Sequence, residues 1–388
     1  MTVSRELALL LHLTGLRVSP TPMPELVEND FDWTRFAALA DRHQVSAVIW
    51  SALATLDQTG IPNELKSDLA EHQATTAIRA MAQEAEAVRI SDHLASAGIR
   101  GLHFKGVACS HLLYGDAARS RFAGDMDILV APGDLVDAVS ALREAGFAFN
   151  DLLPMANEPS FDLFLDMKHA VNLENSDTGT GVDLHHRLTH NPHWMNNDFQ
   201  TLWSRSQTLR LESGDIQTLG DADNAEYLCC HMCDHPYIKL KWLNDASRAL
   251  ARLENGSAGS QQSALAGTSV VSHAKSVLAK IQSVGHAPTS EPLLTPLNME
   301  HVLSELESTA QPNEHRSFGT IGREISLMVQ RARLSGSWKS ALWDFRDLAC
   351  DPRDVHDLGL GRRWEPLYLM LGPVFSLVRF MKRGGDHR

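Results

Sequence analysis

The sequence predicts an α+β protein: a small mixed sheet near residues 100–222 with helical regions on both sides. Three observations lead there. Residues 1–98 carry apolar residues at helical spacing and a long stretch rich in Ala, Glu, Gln and Arg, which favour helix. Residues 99–222 break into short apolar runs separated by Gly-containing and polar turns, as strands do. From Asp223 onward the chain reads as helical again. The expected organisation is therefore a helical N-terminal region (1–98), an α/β core (99–222) and a helical C-terminal region (223–388). A Ser/Gly/Ala/Gln-rich flexible linker is expected near 256–268.

In order, Leu7, Leu10 and Leu11 fall at i, i+3 and i+4 and predict a helix with one buried face. The Leu7–Leu16 run faintly mimics a signal peptide. His12 interrupts it and no small-residue cleavage site precedes Pro20, so the helix is the better reading. Asp32 opens a second helix with an apolar stripe of Trp33, Phe36, Ala37, Ala40 and Val45, and a third helical stretch runs from Asn63 to Ser96. These helices read either as a lid over a site or as a plain structural bundle. In the core, Leu102-His103-Phe104 forms a short strand, Lys105-Gly106 a turn and Val107–Leu113 a helix; a strand follows in GDMDILV. Gly133-Asp134 starts a helix through Ala145, with Leu135, Val139 and Leu142 inward, and Phe147 and Phe149 mark another strand. Residues 151–160 are a loop. Lys168–Glu174 and Val182–Arg187 are two strands of a hairpin joined by residues 175–180. In the second of these, Asp183, His185 and Arg187 share a face, while His186 and Arg187 read as an exposed strand end.

The chemistry concentrates in two places. Alternation along GDMDILV points Asp125 and Asp127 to one face, with Met126, Ile128 and Val130 on the other against an apolar layer. Two like charges on one strand each raise the cost of ionising the other unless a cation lies between them, and a divalent metal with phosphate supplies that cation. The Lys105-Gly106 turn, opening a helix, offers backbone N–H groups and a positive dipole end to an anion. Lys105 adds a point charge, Ser110 a hydroxyl, and Arg119 and Arg121 lie in the loop before the acids.

The run FKGVACSHLLYGDAARSRFAGDMDILV resembles the core of the uncharacterised nucleotidyltransferase family within the DNA-polymerase-β-like superfamily. Lys105-Gly106 stands where the superfamily usually shows Gly-Ser, as it does in this branch. WxxFxxLAxxHxV from Trp33 is similar to the family's helical preface. The resemblance implies a polymerase-β-like nucleotidyltransferase fold with a third acid on a neighbouring strand, for which Asp183 in GVDLHHR fits. His185 resembles the histidine that follows that acid. It further implies that His231, Lys239, Trp242 and Asp245 line the nucleotide or acceptor side, with interdomain packing of Trp242 against its neighbours as the alternative. The activity expected is transfer of a nucleoside monophosphate from an NTP co-substrate to a hydroxyl-bearing acceptor: a small molecule, sugar, peptide or protein. Two Mg²⁺ (or Mn²⁺) ions would be held by Asp125, Asp127 and Asp183. Asp183, or His185 through it, is the expected base, and Lys105 and Gly106 the phosphate cradle. The rival from another class is an inactive nucleotide-binding or scaffold protein with the same fold.

Composition narrows the partners. The 388 residues carry a formal net charge of −13, which repels phosphate backbones, and no Lys/Arg stripe interleaves with aromatics, so a long nucleic acid is not the expected substrate. Cysteines 109, 229, 230, 233 and 350 make no disulfide framework and suit a reducing cytoplasm. Cys229, His231, Cys233 and His235 raise zinc as an alternative. On one helix 229 and 233 share a face while 231 points elsewhere, so three helical, metal-free cysteines are the expectation. The apolar C-terminal end, broken by Gly372-Pro373, is too short to span a bilayer, which needs ~20 apolar residues, and reads as a tail helix docked on the core.

Overall fold

The computed structural model describes residues 3–16, 27, 30–54, 60–115, 121, 123–149, 151, 153–235, 239–255, 269–283, 299–310, 329, 331, 335 and 337–372. The expected linker at 256–268, Arg119 and the end of the C-terminal apolar segment lie outside these residues.

Seven strands form one mixed sheet: β1 (Leu102–His103), β2 (Met126–Leu129), β3 (Ala148–Phe149), β4 (Ala170–Asn175), β5 (Thr180–His185), β6 (Gln207–Leu211) and β7 (Gly214–Thr218), in the order β3-β4-β5-β2-β1-β7-β6. β2 runs parallel to β5, and β1 parallel to β7, while the remaining neighbours are antiparallel. The hairpin expected around 175–180 is present as β4–β5. The β6–β7 hairpin and the short helices Phe161–Met167 and Phe199–Ser204 are additions that the sequence reading did not anticipate.

Alternation decides which face does what. Met126, Ile128, Val130, Val171, Leu173, Val182, Leu184 and Ile216 point to one side, against α4 (Asn63–Ser96) through Ala87, Ile90 and Leu94. Leu135, Ala138 and Leu142 of α6 (Leu135–Glu144) close the same layer. Burying one such aliphatic side chain contributes roughly 1.5–3 kcal/mol. Two unit charges 4 Å apart repel by about 4 kcal/mol at an effective dielectric of 20. The apolar side of β2 and β5 therefore outweighs the repulsion that their acids create on the other side.

That other side belongs to a second core. Leu102, Phe104 and Leu129 pack there with α1 (Arg5–Leu13), α2 (Trp33–Arg42), α3 (Ser46–Leu53), α9 (Asp221–Asp234), α10 (Leu240–Asn255), α11 (Ser269–Gln282) and α12 (Met299–Glu307). The N-terminal helices thus share one core with the helices that follow the sheet. His43, capping α2, ties them together: Leu240 N–H donates to its Nδ1 (3.2 Å) and its Nε2–H donates to the Leu306 carbonyl (2.9 Å). α1 differs from expectation in being buried from Glu6 to Leu11 on every side rather than along one face. A small third cluster joins Leu163, Phe164 and Met167 to Val355 and Tyr368. Among the described residues no helix is long and apolar enough to cross a membrane.

His186 and Arg187 are also placed differently from the exposed strand end that the sequence suggested; both are buried. The Arg187 guanidinium donates to the carbonyls of Thr189, Leu165, Asp166 and His190, so it saturates a turn that would otherwise bury bare acceptors. A basic residue after a strand reads as solvent-facing unless such a carbonyl cage is known.

Candidate active site

Parallel pairing of β2 with β5 sets Asp127 opposite Asp183 and Leu129 opposite His185. On β4, Asn172 is opposite Asp183. Strand alternation then puts Asn172, Asp183, Asp127 and His185 on the face toward α9 and α10. The donor atoms of Asp127, Asp183 and His185 lie within 4.8 Å of one another. His185 Nε2 is 3.2 Å from Asp127 Oδ1, and Asn172 Nδ2 donates to Asp183 Oδ1. Asp125 stands just before β2, exposed, and its carboxylate lies over Gly181, where any Cβ would collide with it. It borders the three-residue cluster without being one of its members.

Lys105 and Gly106 lead into α5 (Gly106–Tyr114). Gly106 adopts φ +48, and a Cβ there would press on the Asp125 carbonyl at 3.3 Å, so the turn needs glycine on two counts. Lys105 is expected from the sequence to cradle phosphate. The structure instead pairs its ammonium directly with Asp127. From the far side, Gln83 Nε2 of α4 donates to the Gly124 carbonyl (2.6 Å) and steadies the approach to β2.

Two residues expected near phosphate are spent on the scaffold. Ser110 is buried and its hydroxyl donates to the Gly106 carbonyl of its own helix (2.9 Å). Arg121 grips Asp245 in two-point fashion, Nε to Oδ1 at 2.9 Å and Nη2 to Oδ2 at 2.7 Å, and donates through Nη1 to the Gly106 carbonyl at 3.2 Å. Asp245, expected to face nucleotide or acceptor, is therefore the buried counter-ion that holds the turn from behind.

The electrostatics distinguish the acids. Burial pushes the Asp127 carboxyl up, but the charge of Lys105, then the hydrogen bond and charge of His185, outweigh it and hold it at about 2. Asp183 moves the other way: burial first, then the Asp127 charge, raises it, against the pull of His185 and Lys105. Burial opposes charging Lys105, yet Asp127 and Tyr227 raise it well above the ordinary lysine value. The cluster thus holds one firmly ionised carboxylate beside one that takes a proton more readily.

Tyr227 is the main residue that the sequence reading missed. It lies on α9, its ring edge-on to Phe104 (4.9 Å) and 5.9 Å from Lys105 Nζ. Nothing local marks it; only the packing of α9 on the sheet brings it here. His231 stacks on Tyr227 at 5.9 Å and meets Trp242 at 5.3 Å, and His235 adds a further ring 4.7 Å from Trp242. Lys239 lies over the Trp242 ring at 5.3 Å. An aromatic wall with cations thus continues from Lys105 along α9 and α10. Lys241, nearby on α10, is pushed down to about 7 by burial and then by the charge of Arg121. Asn172 was within reach of the sequence, because the 175–180 turn fixes which residue faces Asp183.

Cys229, Cys230 and Cys233 are helical and buried on α9, packed in the large core. The cluster at Asp127, by contrast, has a donor set suited to a divalent cation. Two carboxylates and one imidazole converge, and an ammonium already pairs with Asp127 as a stand-in positive charge.

No curated protein and no solved structure matches the chain. The pattern of the uncharacterised nucleotidyltransferase family matches residues 29–267, a span that holds the whole sheet, the Lys-Gly turn and the acid cluster. With most of its length under that pattern, the chain belongs to the uncharacterised nucleotidyltransferase family.

Proposed function

We propose that this protein is a metal-dependent nucleotidyltransferase that moves a nucleoside monophosphate from an NTP to a hydroxyl-bearing acceptor. The observation that carries the reading is the register of Asp127 against Asp183, with His185 alongside and a lysine-glycine helix start at the same edge. Asp127 and Asp183, with Asp125 bordering them, would hold Mg²⁺ or Mn²⁺, which when bound neutralises phosphate charge and acidifies an acceptor hydroxyl. Lys105 and the backbone N–H groups that open α5 bind the β- and γ-phosphates, where negative charge grows as pyrophosphate leaves. In the transfer an acceptor O–P bond forms, the bond to pyrophosphate breaks, and the hydroxyl proton passes to an Asp183 carboxylate oxygen. Gly106 allows close approach, and Ser110 and Arg121 keep the turn in shape. His231, with Tyr227 and Trp242, forms the wall against which the nucleotide or acceptor rests. Five buried cysteines support a reducing, cytoplasmic setting.

A specific observation favours a second reading. The Lys105–Asp127 ion pair supplies a cation of the protein's own, as a nucleotide-binding scaffold without turnover would need. Two variants separate the readings. Asp127→Asn keeps the size and removes the charge; under the transferase reading it abolishes label transfer from radiolabelled NTPs while leaving the melting temperature within a few degrees. Lys105→Ala should then weaken triphosphate binding more than monophosphate binding. Under the scaffold reading no NTP labels any acceptor in cell extract, and Lys105→Ala strengthens metal binding by freeing Asp127. Wild-type transfer by Asp127→Asn would end the proposal for these residues.

A further inference from the structure

We infer that His185 is a direct metal ligand, so that Asp127, Asp183 and His185 form a mixed oxygen–nitrogen centre that selects a first-row transition cation such as Mn²⁺ over Mg²⁺. The inference rests on the proposed function for the presence of a cation, and extends it to which cation and through which atoms.

The imidazole's orientation is fixed from outside the cluster. His185 Nδ1 is 3.3 Å from the Arg187 carbonyl. A carbonyl only accepts, so Nδ1 carries the hydrogen. The carbonyl is itself immobilised, because the Arg187 side chain is tied to four backbone oxygens around the turn. The His185 backbone is pinned by Val130 N–H at 2.8 Å, and the ring lies edge-on to Phe104 at 4.9 Å. Nε2 faces Asp127 Oδ1 at 3.2 Å with Asp183 alongside, so without metal it donates a proton to that carboxylate, and with that proton gone its lone pair points at the place where a cation would sit. A lone pair opposed to carboxylate oxygens is repulsive unless a proton or a cation lies between them. A backbone carbonyl that fixes one ring nitrogen so that the other can bind metal is a recurrent second layer around metal-bound histidines.

The donor set then decides selectivity. Mg²⁺ favours an all-oxygen octahedron and keeps its waters, whereas imidazole nitrogen adds affinity for Mn²⁺ and the later first-row cations. Three carboxylates would leave Mg²⁺ and Mn²⁺ nearly equal; exchanging one oxygen donor for His185 Nε2 tips the balance.

The test uses the full-length, nucleotide-free protein with Mn²⁺ as the probe. Pulsed electron paramagnetic resonance of bound Mn²⁺ should show coupling to a nitrogen, and that coupling should change to the ¹⁵N pattern when only histidine is ¹⁵N-labelled. His185→Gln should remove it and raise the Mn²⁺ dissociation constant by roughly 10–100-fold, while the Mg²⁺ constant changes by less than about threefold. The labelling experiment needs no variant, so it stands even if His185→Gln does not fold. Bound Mn²⁺ without histidine coupling overturns the inference. So does coupling that survives in folded His185→Gln, or a His185 ring that stays doubly protonated with the cation bound. A centre with the coupling but no nucleotide transfer would leave this inference intact and remove the transferase reading. Transfer with Mn²⁺ held by carboxylates alone would do the reverse.

Discussion

Two ion pairs flank the Lys-Gly turn, and they are built to opposite ends. Behind the turn, Arg121 and Asp245 are closed off, their side chains 4% and 2% exposed. Two parallel N–H···O bonds join them, the Tyr114 hydroxyl donates to Asp245 at 2.8 Å, and the remaining guanidinium edge reaches Gly106. Little bonding capacity is left over. In front of the turn, Lys105 is 21% exposed and pairs with Asp127, which also faces His185 and lies in a row with Asp183. This second pair has more negative than positive partners within reach and an open side. A fork-shaped cation on a planar carboxylate fixes geometry; a single ammonium on a flexible stem leaves room for exchange. The difference shows how one short segment combines a fixed scaffold with an open, charged face: the closed pair sets the backbone that the open pair needs.

The largest expected effect breaks the closed pair. Arg121→Ala would strand a buried Asp245 and release the Gly106 carbonyl, at a cost of about 3–5 kcal/mol, readable from urea unfolding. Lys105→Ala removes a partly solvated cation and leaves His185 beside Asp127, so its cost should be smaller by at least about 2 kcal/mol. Equal losses for the two variants would mean that both pairs are structural, and the contrast between them would fail.

How far the sequence reaches follows the same divide. The open pair's acids were legible because alternation in GDMDILV and GVDLHH is a local, period-two signal, and apolar Met126, Ile128, Val182 and Leu184 confirm it from the opposite face. The helix limits at Asn63–Ser96 were legible for a similar reason, a long segment of good helix formers. The closed pair was not. Arg121 and Asp245 are 124 residues apart and nothing in either neighbourhood names the other, so both looked like ligand-binding groups. Tyr227 was hidden in the same way. His186 and Arg187 were misjudged as exposed because burial of a charged residue depends on carbonyls gathered by tertiary folding. The β6–β7 hairpin has one buried residue pattern too weak to separate from loop, since several of its residues stay half exposed.

A second, smaller effect comes with pH, and it sharpens the comparison because neither pair should contribute to it. Arg121 stays charged, and Asp127 is held at about 2, so both pairs are intact through mild acid. His43 is different. Burial, partly offset by the Leu306 carbonyl and reinforced by the charges of Arg42 and Lys239, lowers it to about 4. The unfolded chain binds that proton near 6.5, so between pH 6.5 and about 4 the unfolded state holds more protons and stability falls as pH falls. The loss should reach roughly 2–3 kcal/mol for His43 alone at the low end. Buried His103, also lowered to about 4 by burial, adds to the same slope. Thermal melts between pH 7 and 4 should show the decline, and His43→Asn should make it shallower by its own share, leaving the part due to the other buried histidines. A decline that Lys105→Ala reduces, while His43→Asn leaves it unchanged, would place the open pair inside the titration and contradict its assignment.

The smallest stability change should come from Gly181→Ala, and it tests whether the open pair's surroundings extend to Asp125. Gly181 sits on β5 with ordinary strand φ, so alanine fits its backbone and, by strand preference, costs less than about 1 kcal/mol. The methyl group would meet the Asp125 carboxylate, which lies against the glycine face. Asp125 must then swing away from the row of Asp127 and Asp183. If Asp125 takes part in holding a cation with the nucleotide, the variant should bind metal-nucleotide about tenfold more weakly while melting like wild type. Asp125→Asn should give a similar loss, and the double variant little more, because both changes remove the same contact. Unchanged binding in all three would confine the functional cluster to Asp127, Asp183 and His185, with the glycine retained only for packing.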